Sequence, residues 1–319
     1  MVIATRPRIA VVGAGSIGRR HAGNLDQLGA HVELVPWREF SSGTKQMPTD
    51  LDGLVIATAT SIRRNLIELC VERNLPFYVE KPLGWSLAEV KALHDLAAPV
   101  AERSMVGFMM RYHPALRDIA SNRPSSVYSF SMEIGHDVRQ WRENWSFAGS
   151  YASKPEGGGV LLDLCHELDM ALALFPDLQL SQCDSVGHKD FPGVDMASSV
   201  SARSANGVVG RISMDYLSPI SIRKTALRGL DHHVELDFLE PTVHRNSAEG
   251  PTSKRYDFER NEMFLDAMRD FLALVQGQEV SGNPLMPRFD RMERSSCFIA
   301  EAWEKRQFTG TVDFDLGSA

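Results

Sequence analysis

Two patterns of apolar residues divide this chain. Over the first third, short apolar runs alternate with segments of helical spacing. Arg8–Val12, His31–Trp37, Gly53–Ala57, Phe77–Glu80 and Ala101–Met110 read as strands, and Ser16–Leu28, Arg63–Arg73 and Leu87–Ala97 as helices. Leu66, Ile67, Leu69, Cys70 and Val71 carry the helical spacing of the second, and Asn74-Leu75-Pro76 stops it. Strand–helix alternation at this interval predicts a doubly wound parallel sheet with ligands at the carboxyl ends of its strands. Beyond about Ala120 the period becomes two. Tyr128, Phe130, Met132 and Ile134 oppose Ser129, Ser131 and Glu133, and Val208, Ile212, Met214 and Tyr216 oppose Val209, Arg211, Ser213 and Asp215. Ile222–Gly229 and His232–Phe238 keep that period, while Asn246–Ser253 reads as a loop or hairpin end. Helices are predicted over Gly159–Leu174, Arg260–Val275 and Arg288–Lys305. The fold class expected is α/β: a doubly wound parallel sheet over residues 1–118, then an α+β domain with a mostly antiparallel open sheet over 119–319.

The first strand runs directly into Gly13-Ala14-Gly15-Ser16-Ile17-Gly18, a G-x-G-x-x-G series that opens a helix. Strand, tight turn and helix N-terminus together form a Rossmann-type site for a dinucleotide pyrophosphate, where backbone N–H groups and the helix dipole face the anion. Gly13 permits the turn, Gly15 admits phosphate, and Gly18 lets the helix pack on the strand. The bland alternative is a glycine-rich turn in some other α/β protein. A length of 319 residues suits two domains. A net charge of −7 argues against a nucleic-acid partner. No apolar run approaches the ~18 residues of a membrane span, and the strand at Ile9 begins too early for a signal peptide. Cys70, Cys165, Cys183 and Cys297 lie far apart, suggesting neither a zinc site nor a disulfide framework, so a cytoplasmic setting and no metal are expected.

Two further motifs carry chemistry. Val79-Glu80-Lys81-Pro82 ends a strand of the nucleotide-binding sheet, and Gly157-Gly158-Gly159 leads into a helix bearing Asp163 and His166. Three residues apart on one helix, Asp163 and His166 share a face and can converge on one pocket. With Val106-Gly107-Phe108, Arg111-Tyr112-His113-Pro114 and Arg260-Asn261-Glu262-Met263-Phe264, these motifs resemble, in order and over nearly the whole chain, the glucose–fructose oxidoreductase, inositol dehydrogenase and MocA-like (Gfo/Idh/MocA) family. The resemblance implies an NAD(P)-dependent oxidoreductase acting on a sugar, polyol or sugar derivative, with Lys81, Asp163 and His166 as catalytic residues. A neutral imidazole suits proton removal from a hydroxyl, and a lysine ammonium kept charged by a carboxylate suits developing alkoxide charge. Many members place the histidine four residues after the aspartate; here Glu167 holds that position, so His166 is favoured as base with Glu167 the alternative.

The expected cofactor-binding set is Gly13, Gly15, Ser16, Ile17, Gly18, Trp37, Arg38, Thr58, Glu80 and Lys81, and the expected substrate-binding set Arg111, Tyr112, Trp141 and His166. NAD sites usually carry Asp or Glu at the end of the second strand, whereas Val35-Pro36-Trp37-Arg38-Glu39 offers Arg38 to a 2′-phosphate, which leans the choice to NADP(H). Glu39 would serve NAD if the strand ended one residue later. The semi-polar sheet face with Ser129, Ser131, Arg211 and Ser213 predicts pairing with a second subunit, as a homodimer or homotetramer. His233, Glu235 and Asp237 share a strand face and read as its wet side. Two other classes stay open: a lyase or hydrolase using tightly bound NAD(H) for transient oxidation, and a non-catalytic nucleotide-binding sensor.

Overall fold

The computed structural model describes residues 6–140 and 146–316. The chain divides into two structural units. The first comprises residues 1–84, 88–113 and 258–293, the second 85–87, 114–257 and 294–319. The first unit holds a five-stranded, all-parallel sheet of β1 (Arg8–Val12), β2 (His31–Val35), β3 (Gly53–Ile56), β4 (Phe77–Val79) and β5 (Met105–Val106), in the order β2-β1-β3-β4-β5. Ile9 to Val12 are fully buried, as an apolar strand covered on both faces must be. Helix α1 (Ser16–Gln27) leaves Gly15 with no side-chain cap and no acidic residue in its first turn.

Two strands of this sheet are shorter than the sequence predicts by two residues or more. The β2 strand ends at Val35, and after Pro36 the chain turns into a short helix, α2 (Trp37–Ser41), placing Trp37 and Arg38 on a helix rather than a strand. The run Ala101–Met110 keeps only Met105 and Val106 as strand, between the short helical segments Ala98–Arg103 and Met109–Tyr112. Ser104 causes part of this, since its hydroxyl donates back to Val100 O at 2.8 Å and closes the preceding turn. Helices α3 (Arg63–Glu72) and α4 (Leu87–Ala97) follow β3 and β4.

The second unit is built on a nine-stranded sheet. After helix α5 (Pro114–Ser121) come β6 (Ser129–Gly135), helices α6 (Val160–Asp163) and α7 (His166–Leu174), and strands β7 (Gln179–His188), β8 (Phe191–Arg203) and β9 (Val209–Asp215). Then follow β10 (Ile222–Arg228), β11 (His232–Asp237), β12 (Thr242–Ser247) and β13 (Gly250–Arg255). The order is β13-β12-β11-β10-β6-β9-β8-β7-β14, with β14 (Gln307–Val312) at one edge. Pairing is antiparallel except at β6–β9 and β7–β14. The period-two reading of β9 holds: Ile212, Met214 and Tyr216 are buried while Val209 and Arg211 are exposed. Tyr128, by contrast, is 45% exposed beyond the start of β6.

Helix α8 (Arg260–Gln276) belongs to the first unit and α9 (Glu293–Glu304) almost wholly to the second. Glu259 and Glu262 form a reciprocal capping box at the start of α8. Phe264 meets His21 edge-on, Phe271 meets Tyr78, and Asn261 pairs with Asn24, so α8 covers β-sheet and α1 alike.

Candidate functional site

The glycine series is demanded by contacts at two of its three positions. Gly13 has φ +112°, and a Cβ there would strike the carbonyl of Ala57; a Cβ on Gly18 would strike the carbonyl of Gly13. Gly15 differs, because a Cβ on it meets no protein atom within 4 Å. The open space lies outside an uncapped helix N-terminus, with Gly15 and Ser16 exposed and Ile17 half-buried. Such a cradle fits the pyrophosphate of a dinucleotide.

Gly13 N–H is held by Val35 O at 2.9 Å, and the position of its Cβ lies against Ala57 and Thr58. Thr58 is in turn joined to Lys81 by a residue that carries no signal in the sequence. Arg63, 3% exposed, donates to Thr58 O at 3.1 Å, to Lys81 O at 3.3 Å and to Pro82 O. The carboxyl ends of β1, β3 and β4 are therefore brought together, with half-buried Lys81 on the last. Arg63 belongs to no motif; it looks like any polar first-turn residue of a helix. Arg38 is exposed on α2 and Trp37 half-buried against Phe40, with ring centroids 5.7 Å apart. No carboxylate follows β2 before Glu39, which is exposed.

Glu80 is turned inward. It is 8% exposed, its Oε1 lies 2.7 Å from His21 Nε2, and its Oε2 accepts Lys81 N–H at 3.2 Å. Burial acts to raise its pKa, but the His21 hydrogen bond and the positive charge of Lys81 and Arg63 outweigh it and hold the carboxyl below the usual range. Arg111 and Tyr112, expected at the substrate, are also interior. Arg111 is 6% exposed and bonded through its backbone carbonyl to Asn283, while Tyr112 donates its hydroxyl to Asp270 at 2.8 Å. Trp141 lies outside the described residues.

In the second unit the predicted long helix is broken. The chain leaves α6 after Asp163, turns at Leu164 and Cys165, and restarts as α7 at His166. Asp163 and His166 thus sit on two short helices, not one continuous face. Asp163, 5% exposed, accepts hydrogen bonds from two phenols: Tyr216 at 2.9 Å on Oδ2 and Tyr151 on Oδ1. Tyr216 is fully buried and also reaches Gly159 O at 3.3 Å; burial, with the Asp163 charge beside it, raises its pKa well above 10. Gly159 has φ +88°, and a Cβ on it would strike the Asp195 carboxylate, which accepts Leu161 N–H at 2.8 Å and anchors α6. His166 is 9% exposed. Glu167, the alternative base, is 1% exposed at its side chain and takes the Nε–H of Arg223 at 2.7 Å. His136, which carries no motif, lies edge-on to Tyr216 at 5.8 Å; burial lowers its pKa against the pull of Asp163 and Asp215.

Residues 117–229 match the family model described as the GFO/IDH/MocA C-terminal domain. Over 131 residues the chain is 30% identical to the scyllo-inositol 2-dehydrogenase (NAD(+)) of Bacillus subtilis (strain 168), covering 35% of this chain and 38% of that enzyme. The chain thus spans about two-fifths of that relative's length. It is 23% identical over 285 residues to the UDP-N-acetylglucosamine 3-dehydrogenase of Acidithiobacillus ferrooxidans, covering 83% of this chain and 85% of the other. A solved structure of that dehydrogenase superposes with TM-score 0.73 at 18% identity, over 95% of this chain and 97% of that one. A 3-ketoreductase from Actinomadura kijaniata, solved with NADP and TDP-benzene, superposes with TM-score 0.73 at 14% identity, over 98% and 100%. These superpositions establish a shared fold.

Proposed function

We propose, for a chain that belongs to the Gfo/Idh/MocA family, hydride transfer between NAD(P) and a hydroxyl or carbonyl of a sugar, polyol or sugar derivative. One observation carries the reading: buried Arg63 draws Thr58 and Lys81 together at the strand ends beside a glycine turn whose Gly15 leaves room for pyrophosphate. Relatives named as an inositol dehydrogenase and a sugar-nucleotide dehydrogenase support the substrate class. The first unit is assigned the dinucleotide and the second the substrate.

The glycine turn and the N-terminus of α1 bind pyrophosphate, and Trp37 and Arg38 flank the adenosine ribose. Arg38, with no carboxylate at the end of β2, favours the 2′-phosphate of NADP(H). Bound nicotinamide supplies the hydride acceptor or donor. Lys81 stabilises negative charge on the substrate oxygen, Asp163 holds the hydroxyls of Tyr151 and Tyr216, and His166 holds or gives the hydroxyl proton. Glu167, engaged with Arg223 inside the second unit, suits a packing role better than that of base. The exposed face bearing Ser131 and Arg211 is assigned to a second copy of the chain, giving a homodimer or homotetramer, and light scattering at micromolar concentration checks it.

The test is single-turnover reduction of NAD(P)+ with scyllo-inositol, myo-inositol or UDP-N-acetylglucosamine. Lys81→Met and His166→Ala are each expected to slow hydride transfer by about two to four orders of magnitude. Full activity in Lys81→Met refutes the mechanism, and no turnover by the parent protein across the panel refutes the substrate class.

A further inference from the structure

His21 is not part of any motif that pointed to the function, yet it is wholly buried on the inner face of the glycine-turn helix α1, against the strand β4 that leads to Lys81. Tyr78 and Phe264 present ring edges to it at 5.0 and 6.0 Å. Its Nδ1 is buried without a hydrogen-bond partner, so the ring proton belongs on Nε2, which faces Glu80 Oε1 at 2.7 Å. Glu80 is confined from the other side by Gly107, where a Cβ would lie 3.0 Å from the carboxylate. The second carboxylate oxygen accepts the backbone N–H of Lys81, while Arg63 holds the Lys81 carbonyl. Lys81 is therefore gripped at both ends of its backbone by buried charged groups.

We propose that His21 is a positioning residue for Lys81: by donating to Glu80 it fixes the carboxylate that holds the Lys81 N–H, and so couples the pyrophosphate helix to the placement of the lysine. The inference rests on the reading of Lys81 given above, and it assigns Glu80 an interior task rather than contact with the dinucleotide. A buried carboxylate stripped of its donor turns away or takes up a proton, and either change releases the Lys81 N–H.

Two variants of similar length separate donor from packing. His21→Gln keeps an N–H at the reach of Nε2, whereas His21→Met does not. In the full chain saturated with NADPH, amide hydrogen exchange at Lys81 is expected to quicken about tenfold or more in His21→Met and to stay near the parent rate in His21→Gln. On whichever panel sugar the parent turns over, His21→Met is expected to lower kcat by about 10- to 100-fold. KM and the NADPH Kd should move less than about threefold, with His21→Gln restoring kcat, since the phosphate grip lies at the N-terminus of the helix, more than a turn from His21. A packing role alone predicts lower melting temperatures in both variants and no difference in Lys81 exchange. Unchanged Lys81 exchange in folded His21→Met overturns the proposal whatever the activity. If His21→Met does not fold, a large kcat loss or rapid Lys81 exchange in folded His21→Gln overturns it. Failure of the parent to turn over any panel sugar counts against the functional reading, and the exchange experiment still decides this one.

Discussion

Asp163 receives one phenol from inside the fold and one from its surface, and removing each hydroxyl in turn measures what burial is worth. Tyr216 is fully buried, with Phe147 and His136 edge-on to its ring at 5.9 and 5.8 Å, so Tyr216→Phe keeps the packing and deletes only the oxygen. The lost bond is 2.9 Å long and ends on a carboxylate that is 5% exposed. A hydrogen bond to a charged group contributes about 1.5–3 kcal/mol, and here little water is at hand to replace it. A loss of about 2 kcal/mol corresponds to a fall of roughly 4–8 °C in Tm for a unit of 150–250 residues. Tyr151 is 58% exposed, and water substitutes for its hydroxyl, so Tyr151→Phe is expected to cost less than about 1 kcal/mol. Urea titration followed by circular dichroism gives both values, with unchanged m-values confirming that only stability moved. Equal losses, or a larger loss at Tyr151, would refute the claim that Tyr216 is the structural anchor of Asp163.

Burial pushes the pKa of His94 down to about 4, against the opposing charge of Asp95. Between about pH 6.5 and 4 the unfolded chain binds a proton there that the folded chain refuses, so stability falls as pH is lowered through that window, by on the order of 3 kcal/mol. His94→Leu should flatten that part of the stability–pH curve, and an unchanged slope would show that other groups carry it. Gly159→Ala combines a left-handed backbone with a collision against Asp195, and is expected to cost more than about 3 kcal/mol, read as lost soluble yield or a much lower Tm. Arg38→Ala is expected to weaken NADPH by roughly 1.5–3 kcal/mol and leave NADH nearly unchanged in fluorescence titrations. Equal losses for both would make Arg38 structural.

What the sequence discloses follows from how local the signal is. The β1 strand and its glycines are a contiguous signature, and β9 shows its buried face by strict alternation, so both are legible. The break between α6 and α7 is not, because Val160 to Leu172 are buried all round and no polar face marks the turn at Leu164. The β7 and β8 strands escape notice since serines occupy inward positions; Ser185 and Ser198 pair by their hydroxyls at 2.8 Å inside the sheet. The site divides likewise. Lys81, Asp163 and His166 stand out by motif, whereas Arg63, His21 and Tyr216 act across 18, 59 and 53 residues of chain, and a single sequence carries no trace of such pairings.

Because α8 lies across the first sheet, that sheet is completed by residues made long after its strands. As the chain leaves the ribosome, Tyr78 and His21 wait for Phe271 and Phe264, and Tyr112 for Asp270, while the whole of β6 to β13 emerges in between. Synthesis order and folding order are thus set against each other: the strands of the first unit are translated first, but their sheet closes only once Gln276 has appeared. A nascent chain stalled before that point displays a bare apolar floor, the kind of surface that chaperones occupy and that aggregates without them. For the same reason, a fragment cut after residue 118 lacks a structural wall rather than an accessory helix.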